Sequence, residues 1–141
     1  MSLWLVDTGP LVAYLDATDP AHQRVAEVMD GFSGRGITTP AVVTEAMYFI
    51  GGTARGARAL ADLVTGSGMT IYDLCQPPDL HEAARLMERY RDTPMDFADA
   101  TLVLLADVLE VFDVLTLDRR GFSTYRAPSG NGFRLVLDGV G

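Results

Sequence analysis

Leu3-Trp4-Leu5-Val6-Asp7-Thr8-Gly9-Pro10 runs from a short apolar stretch onto a carboxylate and then into turn residues. Consecutive apolar residues, without the alternation of a half-exposed strand, predict a strand buried on both faces. Thr8-Gly9-Pro10 punctuates it, and Leu11 to Leu15 predict a short helix with proline in its first turn. The pattern continues outward from there. Asp19-Pro20 opens a helix to about Met29, Gly31 to Gly36 form a glycine-rich loop, and Ile37 to Thr39 predict a second strand. Thr39 caps and Pro40 starts a helix over Ala41 to about Ile50, which stops at Gly51-Gly52. Another helix spans about Ala54 to Val64 and ends by Gly66; Met69 to Leu74 predict a strand. Pro77-Pro78-Asp79 opens a helix through about Arg91, Pro94 interrupts, and Asp96 to about Leu109 predict a strongly apolar helix. Val111 to Leu117 then repeat the opening pattern, an apolar strand ending on Asp118, and Phe133 to Leu137 are the last strand candidate. Short β-branched strands alternating with helices predict an α/β domain with a mainly parallel sheet covered on both faces. At 141 residues the chain has room for one such domain, over residues 1–141.

Composition narrows the function. The chain carries 19 acids and 11 bases, a formal net charge of −8. Every base is arginine, so chemistry that needs a lysine, such as a Schiff base or a Walker-type phosphate loop, is excluded. One cysteine, Cys75, excludes an internal disulfide and a cysteine zinc cluster, and two histidines are too few for a histidine-rich metal site. No apolar stretch approaches the ~20 residues of a membrane helix. The first residues lack a basic leader, so a cytoplasmic domain without membrane contact is expected. A nucleic-acid binder this acidic must gather its few arginines locally or meet phosphate through a metal ion.

The acids are not scattered. Asp7 and Asp118 each stand at the end of an apolar strand, where open α/β sheets bind ligands. Each also fits as a cap of the turn that follows. Glu45 lies in a helix, Ala41 to Ile50, with almost no polar face; a carboxylate there needs a partner, a metal or a surface position. Asp96 and Asp99 are three residues apart at a helix start, where they fit a capping box as well as a ligand pair. Taken together, these carboxylates predict a hard-cation site with all-oxygen ligands, suited to magnesium or manganese. One or two such ions activate water and stabilise the leaving oxygen in phosphodiester cleavage.

Leu5-Val6-Asp7-Thr8-Gly9-Pro10-Leu11, Thr44-Glu45, Met95-Asp96-Phe97-Ala98-Asp99-Ala100 and Leu115-Thr116-Leu117-Asp118-Arg119-Arg120-Gly121-Phe122, in this order, resemble the PIN-domain family and most of all its VapC-type toxins. The resemblance covers nearly the whole chain. It implies a five-stranded parallel sheet between helices and a metal-dependent endoribonuclease. It also implies a homodimer and inhibition by a VapB-like antitoxin. Asp7, Glu45, Asp99 and Asp118 match the family's four metal-binding acids. Asp96 and Thr116 match supporting positions, and Thr8 stands beside the first acid. Arg119 and Arg120 are candidate contacts for RNA phosphates or for an antitoxin. Many relatives carry a further Asp where this chain has Gly121, a departure that predicts one tight and one weak metal site. A PIN-like module that binds RNA or a partner without cutting is the alternative. The Asp-Thr-Gly at Asp7 also matches aspartic proteases, but those are all-β. A receiver domain needs a late lysine, and a haloacid-dehalogenase-type phosphatase needs an acid where Gly9 stands.

Overall fold

A computed structural model describes residues 2–139. Five strands form one sheet: β1 (Leu3–Val6), β2 (Arg35–Thr38), β3 (Thr70–Ile71), β4 (Asp113–Leu115) and β5 (Arg134–Leu135). All pairings are parallel and the spatial order is β3-β2-β1-β4-β5. Seven helices connect and cover it: α1 (Thr8–Leu15), α2 (His22–Asp30), α3 (Pro40–Ile50), α4 (Gly56–Gly66), α5 (Pro77–Arg89), α6 (Phe97–Leu109) and α7 (Arg119–Thr124). This is the α/β architecture expected from the alternation of strands and helices. None of the described helices is long and apolar enough to cross a membrane.

The first strand occupies the centre. From β1 the chain builds outward through β2 and β3 on one side, then returns to place β4 on the other. The connections therefore diverge at the carboxyl ends of β1 and β4, which leaves a crevice there. Leu5, Val6, Val114 and Leu115 are buried, which explains the unbroken apolar runs. The Asp7 N–H donates to the Leu115 carbonyl at 3.0 Å, so the ladder ends on the acid itself.

Local chemistry sets the helix starts. Thr39 caps α3 with Pro40 in its first turn. The Thr39 hydroxyl also meets that of Thr101 in α6 at 2.8 Å, a buried pair that ties the two helices together. α6 is buried along most of its length, including Leu102, Val103, Leu105 and Ala106, and packs against α5 and α3. His22 braces the start of α2 on α1, its Nδ1 lying 2.8 Å from the Ala13 carbonyl oxygen.

Several expectations change. The last strand keeps only Arg134–Leu135 of the expected Phe133 to Leu137, and Val136–Gly139 continue as a 3-10 helix. The third strand keeps only Thr70–Ile71 of the expected Met69 to Leu74, since β3 is an edge strand that pairs with β2 alone. β4 ends at Leu115, two residues short of Leu117, because the Thr116 hydroxyl turns the chain by accepting the Asp118 N–H at 2.9 Å. Arg119 and Arg120 open a helix, α7, where the sequence pattern predicts none; Asp118 caps this helix by accepting the Gly121 N–H at 3.0 Å.

Candidate active site

The crevice between β1 and β4 is a cavity of about 560 Å³ lined by six carboxylates: Asp7, Asp19, Glu45, Asp96, Asp99 and Asp118. Among the described residues no arginine or histidine lines it. Each acid arrives by a different route. Asp7 caps α1 from the tip of β1. Glu45 projects from the middle of α3, on the side away from its buried face of Val42, Ala46 and Ile50. Asp96 and Asp99 share the start of α6, and Asp118 leads into α7.

Asp7 is the buried member. Its Oδ2 accepts the Thr116 hydroxyl at 2.7 Å and its Oδ1 accepts the Thr8 N–H at 2.8 Å. Burial outweighs both bonds and pushes its pKa up to about 6, with the charges of Asp96 and Asp118 adding to the rise. Thr116, itself buried, holds two of the acids at once, through its bond to Asp7 and the Asp118 N–H that it accepts. Thr116→Val is expected to cost about 1–3 kcal/mol, because it leaves the Asp118 N–H and one Asp7 oxygen unsatisfied; thermal unfolding in EDTA measures this.

The α6 start forms the expected cap. Asp96 accepts the Asp99 N–H at 2.8 Å, and Asp99 accepts the Asp96 N–H at 3.1 Å, a reciprocal capping box. Each carboxylate still has a second oxygen, and both acids border the cavity. Burial, then the charges of Asp7 and Asp96, push the Asp99 pKa up to about 8. Burial also raises Glu45, with the charges of Asp96 and Asp7 adding to the rise. The Thr8 hydroxyl is buried and has no partner within hydrogen-bond distance among the described residues.

The donor set fits a hard divalent cation. It is all oxygen, it carries uncompensated negative charge, and three of its carboxyls hold protons more tightly than free acids do. Among the described residues no three of these side chains stand close enough together to hold an ion between them as they lie.

Sequence reasoning missed two residues here. Asp19 borders the cavity, although as an Asp-Pro pair it reads as a helix opener, and its carboxylate does accept the Ala21 N–H at 2.8 Å. Tyr125 is fully buried and donates its hydroxyl to the Pro94 carbonyl at 2.9 Å, which ties the end of α7 to the loop before Asp96. Burial and the surrounding acids raise its pKa. Nothing in the local sequence marks Tyr125, because its partner lies 31 residues away. Of the expected supporting residues, Thr8 borders the cavity, and Thr116 lies beneath it, bonded to Asp7. Arg119 does not line the cavity; it pairs with Asp138 at 3.0 Å, and both side chains are well exposed. Arg120 is exposed on the same helix.

Ribonuclease VapC26 of Mycobacterium tuberculosis is 34% identical over 134 residues, spanning 94% of this chain and 98% of the relative. The chain belongs to the VapC family of PIN-domain toxins. A solved VapC structure agrees with the fold. That of M. tuberculosis VapC20, a sarcin–ricin-loop-cleaving toxin, superposes with a TM-score of 0.74 and 18% identity, over 84% of this chain and 91% of that one. No family model matches the chain. In this VapC chain the position where many relatives carry a further acid is closed by packing. A Cβ added at Gly121 would lie 2.2 Å from Asp118 Oδ2 and 2.9 Å from the Tyr125 hydroxyl.

Proposed function

We propose that this protein is a metal-dependent endoribonuclease and the toxin of a toxin–antitoxin pair. The observation that carries the reading is the cavity of six carboxylates with no counter-charge at the switch point of the sheet. VapC26, a ribonuclease, aligns over almost the whole chain, which supports the same activity here.

Asp7, Glu45, Asp99 and Asp118 are the residues that would hold magnesium or manganese, directly or through water, with Asp96 beside them. When bound, such an ion neutralises the phosphodiester and acidifies the attacking water. The protein's part is to fix the acids. Thr116 and the Thr8 N–H orient the Asp7 carboxylate, and the capping box holds Asp96 and Asp99 in register. Burial first, and repulsion between the acids second, raise the carboxyl pKa values, and a bound cation would oppose both; among the described residues no histidine lines the cavity to serve as a base.

Incubating a mixed RNA pool with the protein in magnesium or manganese, and again in EDTA, tests the reading. Cutting in metal and none in EDTA is the expected result. No cutting by a folded protein across structured and unstructured RNAs would favour a module that binds without cleaving.

The crowding at Gly121 bears on stoichiometry. With no acid at that position, manganese calorimetry is expected to resolve one tight and one weak site; two equally tight sites would contradict this. Arg119 and Arg120 are proposed contacts for RNA phosphate or for the acidic side chains of an inhibitor. The exposed Arg119–Asp138 pair contributes little, so it leaves that arginine available. Charge reversal of both arginines is expected to weaken RNA or antitoxin binding several-fold at low salt with unchanged melting; unchanged binding to both partners would exclude the role. Pairing with a VapB-like antitoxin and assembly as a homodimer belong to the same proposal.

A further inference from the structure

A second cavity, of about 690 Å³, opens beside the acid pocket between α3 and the start of α6. The two share Glu45, Phe49 and Asp96, so they form one continuous depression with an acidic end and an apolar end. The apolar end is aromatic. Tyr48 is 82% exposed and Phe49 59% exposed, the largest such pair among the described residues, and their rings meet edge to face at 5.4 Å. Phe97 lines the groove as well. Among the described residues the charged ones along it are Glu45 and Asp96, both on the wall shared with the acid pocket. No cation is present to hold a phosphate or an acidic peptide.

We propose that this groove is a nucleobase subsite, in which Phe49 and Tyr48 stack an unpaired base next to the scissile phosphate. The inference rests on the ribonuclease reading. If the reacting phosphate sits among the acids, the base attached to it must lie within a nucleotide's reach, and Phe49 stands on that border. A flat, uncharged face suits the ring of a base. Stacking tolerates any sequence and needs no basic residue, which answers how a chain with so acidic a pocket holds a polyanion.

The test has two arms. In the first, a short single-stranded RNA carrying 2-aminopurine at one position is titrated with Asp7→Asn protein in magnesium. Its fluorescence is expected to be quenched, and Phe49→Leu or Tyr48→Leu, which keep apolar bulk but remove the ring, are expected to lose most of the quench. In the second, active protein cuts RNAs with an abasic residue on either side of the mapped cleavage point. Removing the stacked base should raise KM roughly tenfold. Phe49→Leu should raise KM on intact RNA by a similar factor and add nothing on the abasic RNA. Equal penalties in wild type and Phe49→Leu would overturn the subsite while leaving the ribonuclease standing. If RNA is neither cut nor bound, the ribonuclease reading fails and the subsite falls with it. If Phe49→Leu instead halves the mass in solution with no base dependence, the groove is an interface between copies of the chain and the proposal is wrong.

Discussion

Asp7→Asn is expected to lower RNA cleavage by roughly a thousandfold or more without unfolding the protein. Asp7 is the acid whose surroundings are most completely specified. It is buried at the tip of the central strand, both oxygens are bonded, and Asp96 and Asp118 face it. Asparagine keeps the volume and still accepts the Thr8 N–H, so α1 keeps its cap. What changes is the charge and one bond direction. The amide nitrogen meets the Thr116 hydroxyl as a donor, where the carboxylate accepted. That hydroxyl already accepts the Asp118 N–H, so its own hydrogen loses its partner. The expected structural cost is small and the electrostatic loss large. Gel assays of cleavage beside circular dichroism separate the two. Full activity in Asp7→Asn would remove Asp7 from the machinery, and cutting that also survives EDTA would point to a contaminant.

The second large effect is on stability. In EDTA the protein is expected to become less stable as the pH rises from 5 to 8, the reverse of ordinary acid denaturation. The sign follows from linkage. Asp7 and Asp99 hold protons in the folded state up to about 6 and about 8, against 3.8 for a free side chain. Across that window the folded state binds more protons than the unfolded chain, so stability present at low pH is lost as the pH rises through the folded values. For Asp7 alone the whole shift corresponds to about 3 kcal/mol, of which about 1.4 kcal/mol is lost above pH 5; the loss from Asp99 runs on to about pH 8. A drop of roughly 5–10 °C in melting temperature is the expected reading. Asp7→Asn and Asp99→Asn should each flatten the dependence and raise the melting temperature at pH 8. Added magnesium should restore the wild type there, because a bound cation replaces the lost protons. A flat melting temperature in EDTA from pH 5 to 8 would show that the acids are not coupled as described.

The two sequence motifs that place an acid at a strand end, Leu-Trp-Leu-Val-Asp and Val-Leu-Thr-Leu-Asp, made the centre of the sheet legible. Buried parallel strands must be continuously apolar, and their ends are where polar residues return. The capping-box spacing of Asp96 and Asp99 and the Thr39-Pro40 start were readable for the same reason, since both are local chemistry. Glu45 stood out because its helix offers it no polar face, and the structure turns it to the cavity. The aromatic residues beside it were less legible. Of the apolar set around them, Ile50 is core while Tyr48 and Phe49 are exposed, a split that helical spacing alone does not settle. What escaped entirely depends on distant partners. Thr116 was named beside the last acid, but its bond to Asp7, 109 residues away, was not readable, and Arg119 meets Asp138 from another element. α7 has no apolar periodicity and contains a glycine, so only its Asp118 cap announces it. Asp19 follows the same rule: its local role, a turn, was visible and its place in the cavity was not.

The central position of β1 has a consequence for how the protein is made. Asp7 leaves the ribosome well before the hydroxyl that orients it, which belongs to Thr116, 109 residues further on, and before the strand that flanks it, β4, which starts at Asp113. At ordinary translation speeds, roughly 5–20 s separate the two. Through that interval the nascent chain carries its acids without the wall that gathers them. The acid site is thus incomplete until β4 and Thr116 have both emerged.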